Sequence, residues 1–495
     1  MLEKKKVTII GAGIGGITTA IYLSRNGYNV TLFEKNAFPG GRCGKIIQEG
    51  HRFDVGATLL MMPDTYKNTY AEIGKSLDKE LELIRMDPIY KLKFHNQKEL
   101  VFTSDMVKMK EQFEAIEPGS FTHFLEYMAK SYRIFQLSMD SIINKNYYNL
   151  FDFFNLRSLL VFFRVNAFKN HYRQTARYFK NEMIRVALTF QNIYVGQNPI
   201  EAPAVFAMLP FMEINDGVWF PKGGMGKIID NLISIAVENG VTIHYNSPVK
   251  KIQVEKKRVT GIIFEDNNFY KTDLVVSNAD LPYVYNELLP SSRYARRINR
   301  LNYACSVVVF HWAVDKIFPE LEQHTIFVCK DYREGISSVF NGKGLPSDFC
   351  FYVHSPARND ASAAPAGQDS ITVIIPVPHL GNKGNPEPDN LMEFARKKVF
   401  ARLASEGLND FEKHIKFERS YTQKSWKNIF NITHGSIFGS LNHDILQMGY
   451  FRPHNRHDTI KNLYFTGGST HPGNGVPMSL ISAKLTSEKL IKQNS

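Results

Sequence analysis

The fold is decided by the stretch Val7-Thr8-Ile9-Ile10-Gly11-Ala12-Gly13-Ile14-Gly15-Gly16, an apolar run that leads into closely spaced glycines. Its first four residues predict a buried strand, and residues Ile17 to Asn26 predict a helix that Gly27 ends. A second strand is predicted from Asn29 to Phe33. This succession supplies the βαβ context that a bare Gly-x-Gly-x-x-Gly pattern lacks. The stretch therefore predicts a Rossmann-like dinucleotide-binding unit.

Each glycine of the turn has its own physical role. Gly11 allows the tight turn, Gly13 lets a pyrophosphate approach the backbone, and Gly16 permits close packing of helix against strand. Because the N-terminus of the helix presents free N–H groups to phosphates, we also expect Ala12 and Ile14 at the ligand.

Glu34 ends the second strand, 18 residues after Gly16. Its carboxylate can accept both hydroxyls of an adenosine ribose, and it disfavours a 2′-phosphate. NADP is therefore not expected at this site.

The segment Lys35-Asn36-Ala37-Phe38-Pro39-Gly40-Gly41-Arg42 follows Glu34, and its resemblance to a known motif implies FAD rather than NAD as the ligand. Its Gly-Gly-Arg, just beyond the ribose-binding acid, resembles the extended dinucleotide motif of the flavin amine oxidase and phytoene desaturase superfamily. The resemblance implies that Lys35, Gly41 and Arg42 contact FAD, with the arginine near its phosphates.

Two further segments resemble flavin-binding turns of this superfamily. Phe53-Asp54-Val55-Gly56-Ala57-Thr58-Leu59-Leu60 is similar to the turn that brings backbone under the isoalloxazine. Residues 462–477 resemble the C-terminal flavin-binding motif of bacterial carotenoid desaturases, with a strand predicted over 463–466 and a helix over 479–491. The implied FAD contacts are Thr58, Leu59, Gly468, Ser469, Val476, Pro477 and Met478.

The middle of the chain supplies a third cofactor element by resemblance. A strand-like run over 241–245, a hairpin-like alternation and the stretch Asp273-Leu274-Val275-Val276-Ser277-Asn278-Ala279-Asp280 look like the adenine-side segment of the family. The resemblance implies that Val249 gives its backbone N–H and C=O to adenine.

The likeness extends over nearly the whole chain, because residues 217–225, 376–381 and 450–456 are similar to segments of bacterial phytoene desaturases in the same order. It implies an α/β fold with a Rossmann-like FAD-binding domain assembled from three chain segments, a mixed-sheet substrate domain and a helical insertion. The expected limits are 1–85, 220–290 and 446–495 for the FAD-binding domain, 86–104 and 291–445 for the substrate-binding domain, and 105–219 for a helical, membrane-associating subdomain.

Composition sets the remaining bounds. The 495 residues, 43% hydrophobic and 22% charged, are typical of a large globular protein and exclude a disordered or fibrous chain. The formal charge of +12 attracts anions, yet the basic residues are spread along the chain without a nucleic-acid module, so nucleic acid is not an expected partner. The 4 cysteines form no Cys-x-x-Cys pair, so we expect no metal site and a reduced, cytoplasmic protein without a secretory signal.

Residues 150–185 mix phenylalanines with lysines and arginines. No window reaches 18 uncharged apolar residues, so a spanning helix is not expected. The mixture suits a helix in the headgroup layer of an anionic leaflet, and the alternative is a solvated basic face. Because a carotenoid is stored in the bilayer, we expect peripheral association with the inner face of the cell membrane.

The resemblance implies an FAD-dependent carotenoid desaturase, which introduces a C=C bond by hydride transfer to the flavin N5. It leaves open phytoene-type or hydroxycarotenoid 3,4-desaturation. The alternatives are a carotenoid isomerase or terminal-methyl oxygenase of the same family, and a non-enzymatic lipid carrier on the same scaffold. Because the chain holds one complete dinucleotide fingerprint, oxygen or a membrane quinone is the expected electron acceptor.

No sequence pattern identifies the group that accepts the proton during desaturation. His471, beside the C-terminal turn, is a weak candidate, since a histidine in such a loop more often has a structural role. His454 and His379 are weaker candidates still. Asp140 and Arg133 are considered as substrate-channel groups, and the alternative is an exposed pair on a helix.

Overall fold

A computed structural model describes residues 4–95, 97–153, 161, 164–165, 168–381 and 390–494. Its strands are Lys6–Ile10, Asn29–Phe33, Lys45–Gln48, His51–Asp54, Leu83–Arg85, Tyr90–Lys93, Glu99–Phe102, Trp219–Pro221, Thr242–His244, Val249–Glu255, Arg258–Phe264, Phe269–Lys271, Leu274–Ser277, Ser306–Val314, His324–Phe327, Phe351–His354, Asp369–Val377, Ile415–Tyr421 and Leu463–Phe465. Its α-helices are Ile14–Arg25, Pro63–Glu72, Leu77–Glu80, Met106–Ile116, Ser120–Ser138, His171–Thr175, Glu182–Ala187, Met208–Asn215, Gly226–Glu238, Leu281–Tyr283, Arg293–Ile298, Tyr332–Phe340, Leu391–Ser405, Gln423–Phe430 and Val476–Asn494.

The N-terminal βαβ unit lies at the centre of a five-stranded parallel sheet. The strand order across the sheet is Leu463–Phe465, Leu274–Ser277, Lys6–Ile10, Asn29–Phe33 and Thr242–His244. Parallel strands that are covered on both faces read as continuous apolar runs, and the central strand is buried from Val7 onward. The sheet thus joins the start, the middle and the end of the chain, and the α/β fold class is confirmed.

Two of the helices that flank this sheet, the first and the last of the chain, begin three residues earlier than the pattern predicts. The first helix begins at Ile14. The sequence pattern misses its first turn because Gly15 and Gly16 contribute no side chain to the apolar periodicity. The last helix begins at Val476, and Pro477 is accommodated in its first turn because the backbone N–H that proline lacks has no partner there. The two helices pack against each other.

A seven-stranded mixed sheet forms the second layer of the fold. The strand order is Ile415–Tyr421, Ser306–Val314, Asp369–Val377, Phe351–His354, His324–Phe327, Tyr90–Lys93 and Glu99–Phe102. Neighbours are antiparallel except for His324–Phe327 beside Tyr90–Lys93. Its strands come from residues 86–104 and 291–445, and the exact domain limits stay a prediction. The expected limit between 219 and 220 falls inside the strand Trp219–Pro221.

The region between 105 and 219 contributes helices that pack on both layers. Asp105 is the N-cap of the helix Met106–Ile116, because its side chain accepts hydrogen bonds from the backbone N–H groups of Val107 and Lys108. Residues 154–160, 162–163 and 166–167 of the aromatic and basic stretch lie outside the described residues. Among the helices that the structure describes, none is long and apolar enough to cross a membrane.

Candidate functional site

A cavity of about 680 Å³ lies where the two sheets and the helical region meet. Residues of all three parts of the fold line it. The predicted cofactor residues in its wall are Gly11, Gly13, Ile14, Glu34, Lys35, Gly41, Arg42, Thr58, Leu59, Val249, Gly468, Ser469, Val476 and Pro477. The predicted residues that do not line it are Ala12, Gly16, Met478 and His471.

The glycine turn brings backbone to the cavity through close contacts that exclude side chains. Gly11 has a φ of +97°, in the region that favours glycine, and its N–H donates to the Phe33 carbonyl at 2.8 Å. A Cβ on Gly16 would lie 2.2 Å from the Gly11 carbonyl oxygen. This clash explains why position 16 holds a glycine, and no contact with a ligand is needed to explain it. The Gly40 N–H donates to the Ala12 carbonyl at 2.7 Å, so the Gly-Gly-Arg segment is attached to this turn.

Glu34 is buried and its carboxylate is held at the mouth of the turn. Its Oε2 accepts the Ala12 N–H at 2.8 Å, and its Oε1 accepts the Asn36 N–H at 2.9 Å. Oε1 also accepts from Asn36 Nδ2 at 3.0 Å, whereas Oε2 accepts one hydrogen bond, so Oε2 keeps a lone pair for a ribose hydroxyl. Ala12 therefore positions the acid rather than lining the cavity. The Lys35 ammonium donates to the Asn428 carbonyl and to Asn431 Oδ1 at 2.8 and 2.7 Å, which turns it towards the C-terminal end of the helix Gln423–Phe430.

Asn278 joins the glycine turns of the two chain ends, a role that sequence reasoning missed. A Cβ on Gly13 would lie 2.5 Å from Asn278 Nδ2, and one on Gly15 would lie 2.8 Å from Asn278 Oδ1. On the other side, a Cβ on Gly467 would lie 2.5 Å from the same Oδ1. Asn278 lies within the Asp273–Asp280 stretch that resembles the family. Its contacts with Gly13, Gly15 and Gly467 form when distant segments fold together, so the sequence could not show them.

Arg42 also spans the two ends of the chain. Its Nη1 donates to the Ile437 carbonyl at 2.6 Å, and its Nη2 lies 3.4 Å from where a Cβ on Gly468 would be. Burial lowers the pKa of the guanidinium, while the charge of Asp280 opposes this shift. A cation in the cavity wall between two glycine turns suits the phosphates of a dinucleotide.

The C-terminal turn is fixed by buried polar contacts. Ser469 Oγ accepts the backbone N–H of Leu281 at 2.9 Å. Arg452, which has 0% exposure, donates to the Gly468 and Asn442 carbonyls at 2.8 and 2.9 Å. Met478 packs against apolar side chains of the core instead of lining the cavity.

His471 is buried in packing contacts away from the cavity wall. Its Nε2 hydrogen-bonds the Lys145 carbonyl at 3.0 Å, and its ring packs edge-on against Tyr147. Burial lowers the pKa of His471 to about 3, so the ring is neutral and its Nε2 is the donor. These contacts favour a structural role. Asp140 and Arg133 are both exposed, as expected of a helix surface pair.

The other part of the cavity is mainly apolar. Its lining includes Met61, Met62, Phe190, Ile193, Met212 and Ile326. Three residues that carry hydroxyl groups, Thr58, Tyr194 and Tyr352, also line this part. Tyr352 hydrogen-bonds Thr58 Oγ1 at 2.9 Å and His324 Nδ1 at 2.7 Å. Sequence reasoning missed both tyrosines, because isolated tyrosines in apolar stretches carry no recognisable signal.

A buried carboxyl group lies behind Tyr194. Glu213 Oε2 accepts from the Tyr90 hydroxyl at 2.9 Å and from Gln191 Nε2 at 3.0 Å. Burial raises the pKa of Glu213 to about 8, and the surrounding hydrogen bonds, including that of Tyr194, only partly oppose this. The carboxyl group is therefore mostly protonated at neutral pH.

Comparison with known proteins identifies the class to which this fold and cavity belong. The model of the flavin containing amine oxidoreductase family matches residues 14–491. A solved structure of putrescine oxidase with putrescine bound superimposes with a TM-score of 0.64 at 13% identity, covering 99% of each chain. The protein belongs to the flavin containing amine oxidoreductase family.

Two curated relatives are similar over almost their full length. The chain is 38% identical to the "zeta-carotene-forming phytoene desaturase" of Myxococcus xanthus, over 99% of this chain and 94% of the relative. It is 31% identical to the "4,4'-diapophytoene desaturase (4,4'-diaponeurosporene-forming)" of Staphylococcus aureus strain Newman, over 98% and 99%.

The residues in the cavity wall fit FAD, the cofactor of this protein. Glu34 offers carboxylate oxygens to the adenosine ribose, the start of the helix at Ile14 offers backbone N–H groups to phosphates, and Arg42 offers a cation. The closeness of Gly13 to Asn278 leaves no room for a side chain there. Which of these atoms contact FAD remains a prediction.

Proposed function

We propose that the protein is an FAD-dependent carotenoid desaturase. The observation that carries the proposal is a cavity whose polar part has Glu34 and two glycine turns, and whose other part is lined by methionines, phenylalanines and isoleucines. A polyene offers no directional hydrogen bonds, so burial of apolar area at about 25 cal/mol per Å² must hold it. The two desaturase relatives, at 38% and 31% identity, support the same reaction.

The chemistry divides between the cofactor and the chain. FAD, when bound, supplies the acceptor for a hydride from an unactivated carbon. The residues of the apolar part exclude water and hold the target C–C bond beside the cofactor-binding turns. We propose that the substrate is phytoene or a related carotenoid, and hydroxycarotenoid 3,4-desaturation is the finer alternative. The isomerase, methyl oxygenase and carrier alternatives are not favoured by the desaturase relatives.

The proposed site of action is the inner face of the cell membrane, on the cytoplasmic side. Phe151 and Phe168 have exposures of 79% and 69%. Exposed basic residues lie on both sides of Phe168 in the chain: Arg164, Lys169, Arg173, Arg177 and Lys180. Exposed phenylalanines among cations suit the headgroup layer of an anionic leaflet. We propose oxygen or a membrane quinone as the electron acceptor.

Pigment analysis tests the reaction directly. The chain is expressed in a carotenoid-producing bacterial host that is supplied with phytoene or with later intermediates. A shift of the pigment to longer conjugation is expected, and the purified protein should be yellow and bleach on reduction. A new aldehyde would instead indicate the oxygenase, and a colourless lipid-loaded protein would indicate the carrier. Turnover without oxygen or quinone, with NADP alone, would contradict the proposed acceptors.

Vesicle sedimentation tests the membrane proposal. The double variant Phe151→Ser, Phe168→Ser should bind vesicles of phosphatidylglycerol and phosphatidylcholine at least about tenfold more weakly than the unmodified protein, since each lost phenylalanine removes buried apolar area. Phe269→Ser is the matched control, because Phe269 is 53% exposed on the three-stranded sheet. Equal binding by the double variant and the control would refute this surface.

A further inference from the structure

Desaturation requires a proton acceptor in the apolar part of the cavity. This requirement rests on the proposed function, in which a hydride leaves one carbon and a proton leaves its neighbour. A C–H bond beside a developing carbocation is strongly acidic, so a weak base suffices if it is correctly placed. The acceptor must therefore be identified by position first and by base strength second.

Two carboxylates in the cavity wall, Glu34 and Asp280, lie at the cofactor-binding turns and already accept hydrogen bonds there. Glu34 is held by Ala12 and Asn36, and Asp280 accepts from the Thr433 N–H at 3.0 Å and from Ser440 Oγ at 2.5 Å. Beside the methionines and phenylalanines, the described wall includes three residues that carry hydroxyl groups, Thr58, Tyr194 and Tyr352. The two tyrosines are close enough to influence each other electrostatically.

Tyr352 differs from Tyr194 in having a neutral imidazole behind it. Its hydroxyl lies 2.7 Å from His324 Nδ1, and the two rings are stacked with centroids 6.0 Å apart. The strand register fixes this pair, because Tyr352 lies opposite Ile326 and His324 lies opposite His354 in adjacent antiparallel strands. Both side chains thus belong to the rigid sheet rather than to a loop.

His324 is buried and incompletely hydrogen-bonded. Its exposure is 1%, and its Nε2 has no hydrogen-bond partner among the described residues. Burial lowers the pKa of His324 to about 3, so the ring is neutral. With its proton on Nε2, its Nδ1 presents a lone pair to the Tyr352 hydroxyl.

Among the described residues, the Tyr194 hydroxyl neighbours the Glu213 carboxyl group and no imidazole. The neighbouring Glu213 is mostly protonated at neutral pH, and its Oε2 already accepts hydrogen bonds from Tyr90 and Gln191. A protonated carboxyl group cannot take up a further proton from Tyr194 near neutral pH. Tyr352 is favoured because its hydroxyl lies 2.7 Å from His324 Nδ1, a nitrogen that can accept its proton.

We propose that the Tyr352 hydroxyl oxygen accepts the substrate proton while its own proton passes to His324 Nδ1. The substrate C–H bond breaks, and its electron pair forms the new C=C bond. A new O–H bond forms on Tyr352 as the old one breaks, and an N–H bond forms on His324. FAD, when bound, would supply the acceptor for the hydride and its electron pair, and this negative charge would balance the positive charge of the His324 imidazolium. Tyr352 is a catalytic residue in this scheme, and His324 is a positioning residue that acts through it.

The test uses purified holoprotein with phytoene in phosphatidylcholine vesicles. Tyr352→Phe should lower kcat by about 10²- to 10⁴-fold with little change in KM or in the flavin spectrum. Phytoene deuterated at the carbon that loses the proton should give a larger isotope effect on kcat with Tyr352→Phe than with the unmodified protein. Tyr66→Phe is the matched control, because the Tyr66 hydroxyl is buried, lacks a partner among the described residues and does not line the cavity.

A second variant keeps the test decisive if Tyr352→Phe does not fold. His324→Gln should lower kcat at least tenfold and raise the same isotope effect, and His324→Phe should lower kcat further because it offers no acceptor atom. A kcat near that of the unmodified protein in either Tyr352→Phe or His324→Gln would overturn the proposal, as would a larger loss in Tyr194→Phe than in Tyr352→Phe. An unmodified holoprotein that converts neither phytoene nor later carotenoids would refute the proposed function instead.

Discussion

Gly15 and Gly467 are in direct contact, although they belong to opposite ends of the chain. A Cβ on Gly15 would lie 3.1 Å from the Gly467 Cα atom. One turn further along the N-terminal helix, Thr19 Oγ1 lies 3.3 Å from Thr466 Oγ1. The two glycine turns thus form one wall, and the cavity depends on their contact.

Gly15→Ala should separate these two turns. The added Cβ would meet Asn278 Oδ1 at 2.8 Å and the Gly467 backbone at 3.1 Å, and backbone atoms cannot move aside cheaply. We expect loss of most of the bound flavin, measured as the ratio of absorbance at the flavin band to that of the protein. Gly119→Ala is the control, since its φ of +82° makes the substitution strained while no atom lies within 4 Å of the new Cβ. It should lower Tm slightly and leave flavin content intact; equal flavin content in both variants would contradict the prediction.

Glu34→Gln should weaken FAD binding. The substitution replaces a carboxylate that accepts the Ala12 N–H at 2.8 Å, and charge-assisted hydrogen bonds contribute about 1.5–3 kcal/mol. We expect the Kd for FAD to rise about 10- to 100-fold, measured by titrating apoprotein with FAD and following flavin fluorescence. Glu255→Gln, at an exposed strand end, is the control. An unchanged Kd in Glu34→Gln would rule out the ribose contact.

Glu213 should make the stability of the protein depend on pH. Its pKa is raised by burial from 4.5 to about 8, so the folded state binds more protons than the unfolded state between these values. The free energy of unfolding should therefore fall as pH rises from about 4.5 to 8, by on the order of a few kcal/mol from this group. Glu213→Gln should lose this part of the pH dependence.

Urea unfolding of the unmodified protein and the variant at several pH values measures the effect of Glu213. Glu49→Gln, at an exposed position, should keep the full slope. If the free energy of unfolding changes with pH in the same way for the unmodified protein and Glu213→Gln, the Glu213 carboxyl group does not take up a proton on folding.

Arg452→Met should destabilise the C-terminal turn. The change removes the donors to the Gly468 and Asn442 carbonyls, and a buried group left without its partner costs about 1–3 kcal/mol. We expect a lower Tm and partial loss of flavin, followed by calorimetry and absorbance. Arg456→Met, half-buried in the same loop, is the control and should have the smaller effect. A Tm equal to that of the control would indicate that water replaces the guanidinium.

The N-terminal unit and its acid were readable from local sequence. The strand Asn29–Phe33 lies where the sequence predicts it, and the first helix differs at its start, where Gly15 and Gly16 carry no apolar side chain to reveal the helical period. Ala12, Gly16 and Met478 illustrate the limit of motif reading: they lie within the predicted turns but outside the cavity wall. A motif fixes the backbone path, whereas the direction of each side chain depends on what packs against it.

The sequence by itself determined the fold class, the family and the two glycine turns, because the βαβ unit and the spacing of glycines are local properties of the chain. The tertiary structure alone decided that Asn278 and Arg42 bridge those turns, that His471 is used in packing, and that Tyr352 faces the cavity with His324 behind it. These pairings come from strand register and from contacts between segments far apart in sequence. Their energies depend on burial, which exists only after the layers have packed together.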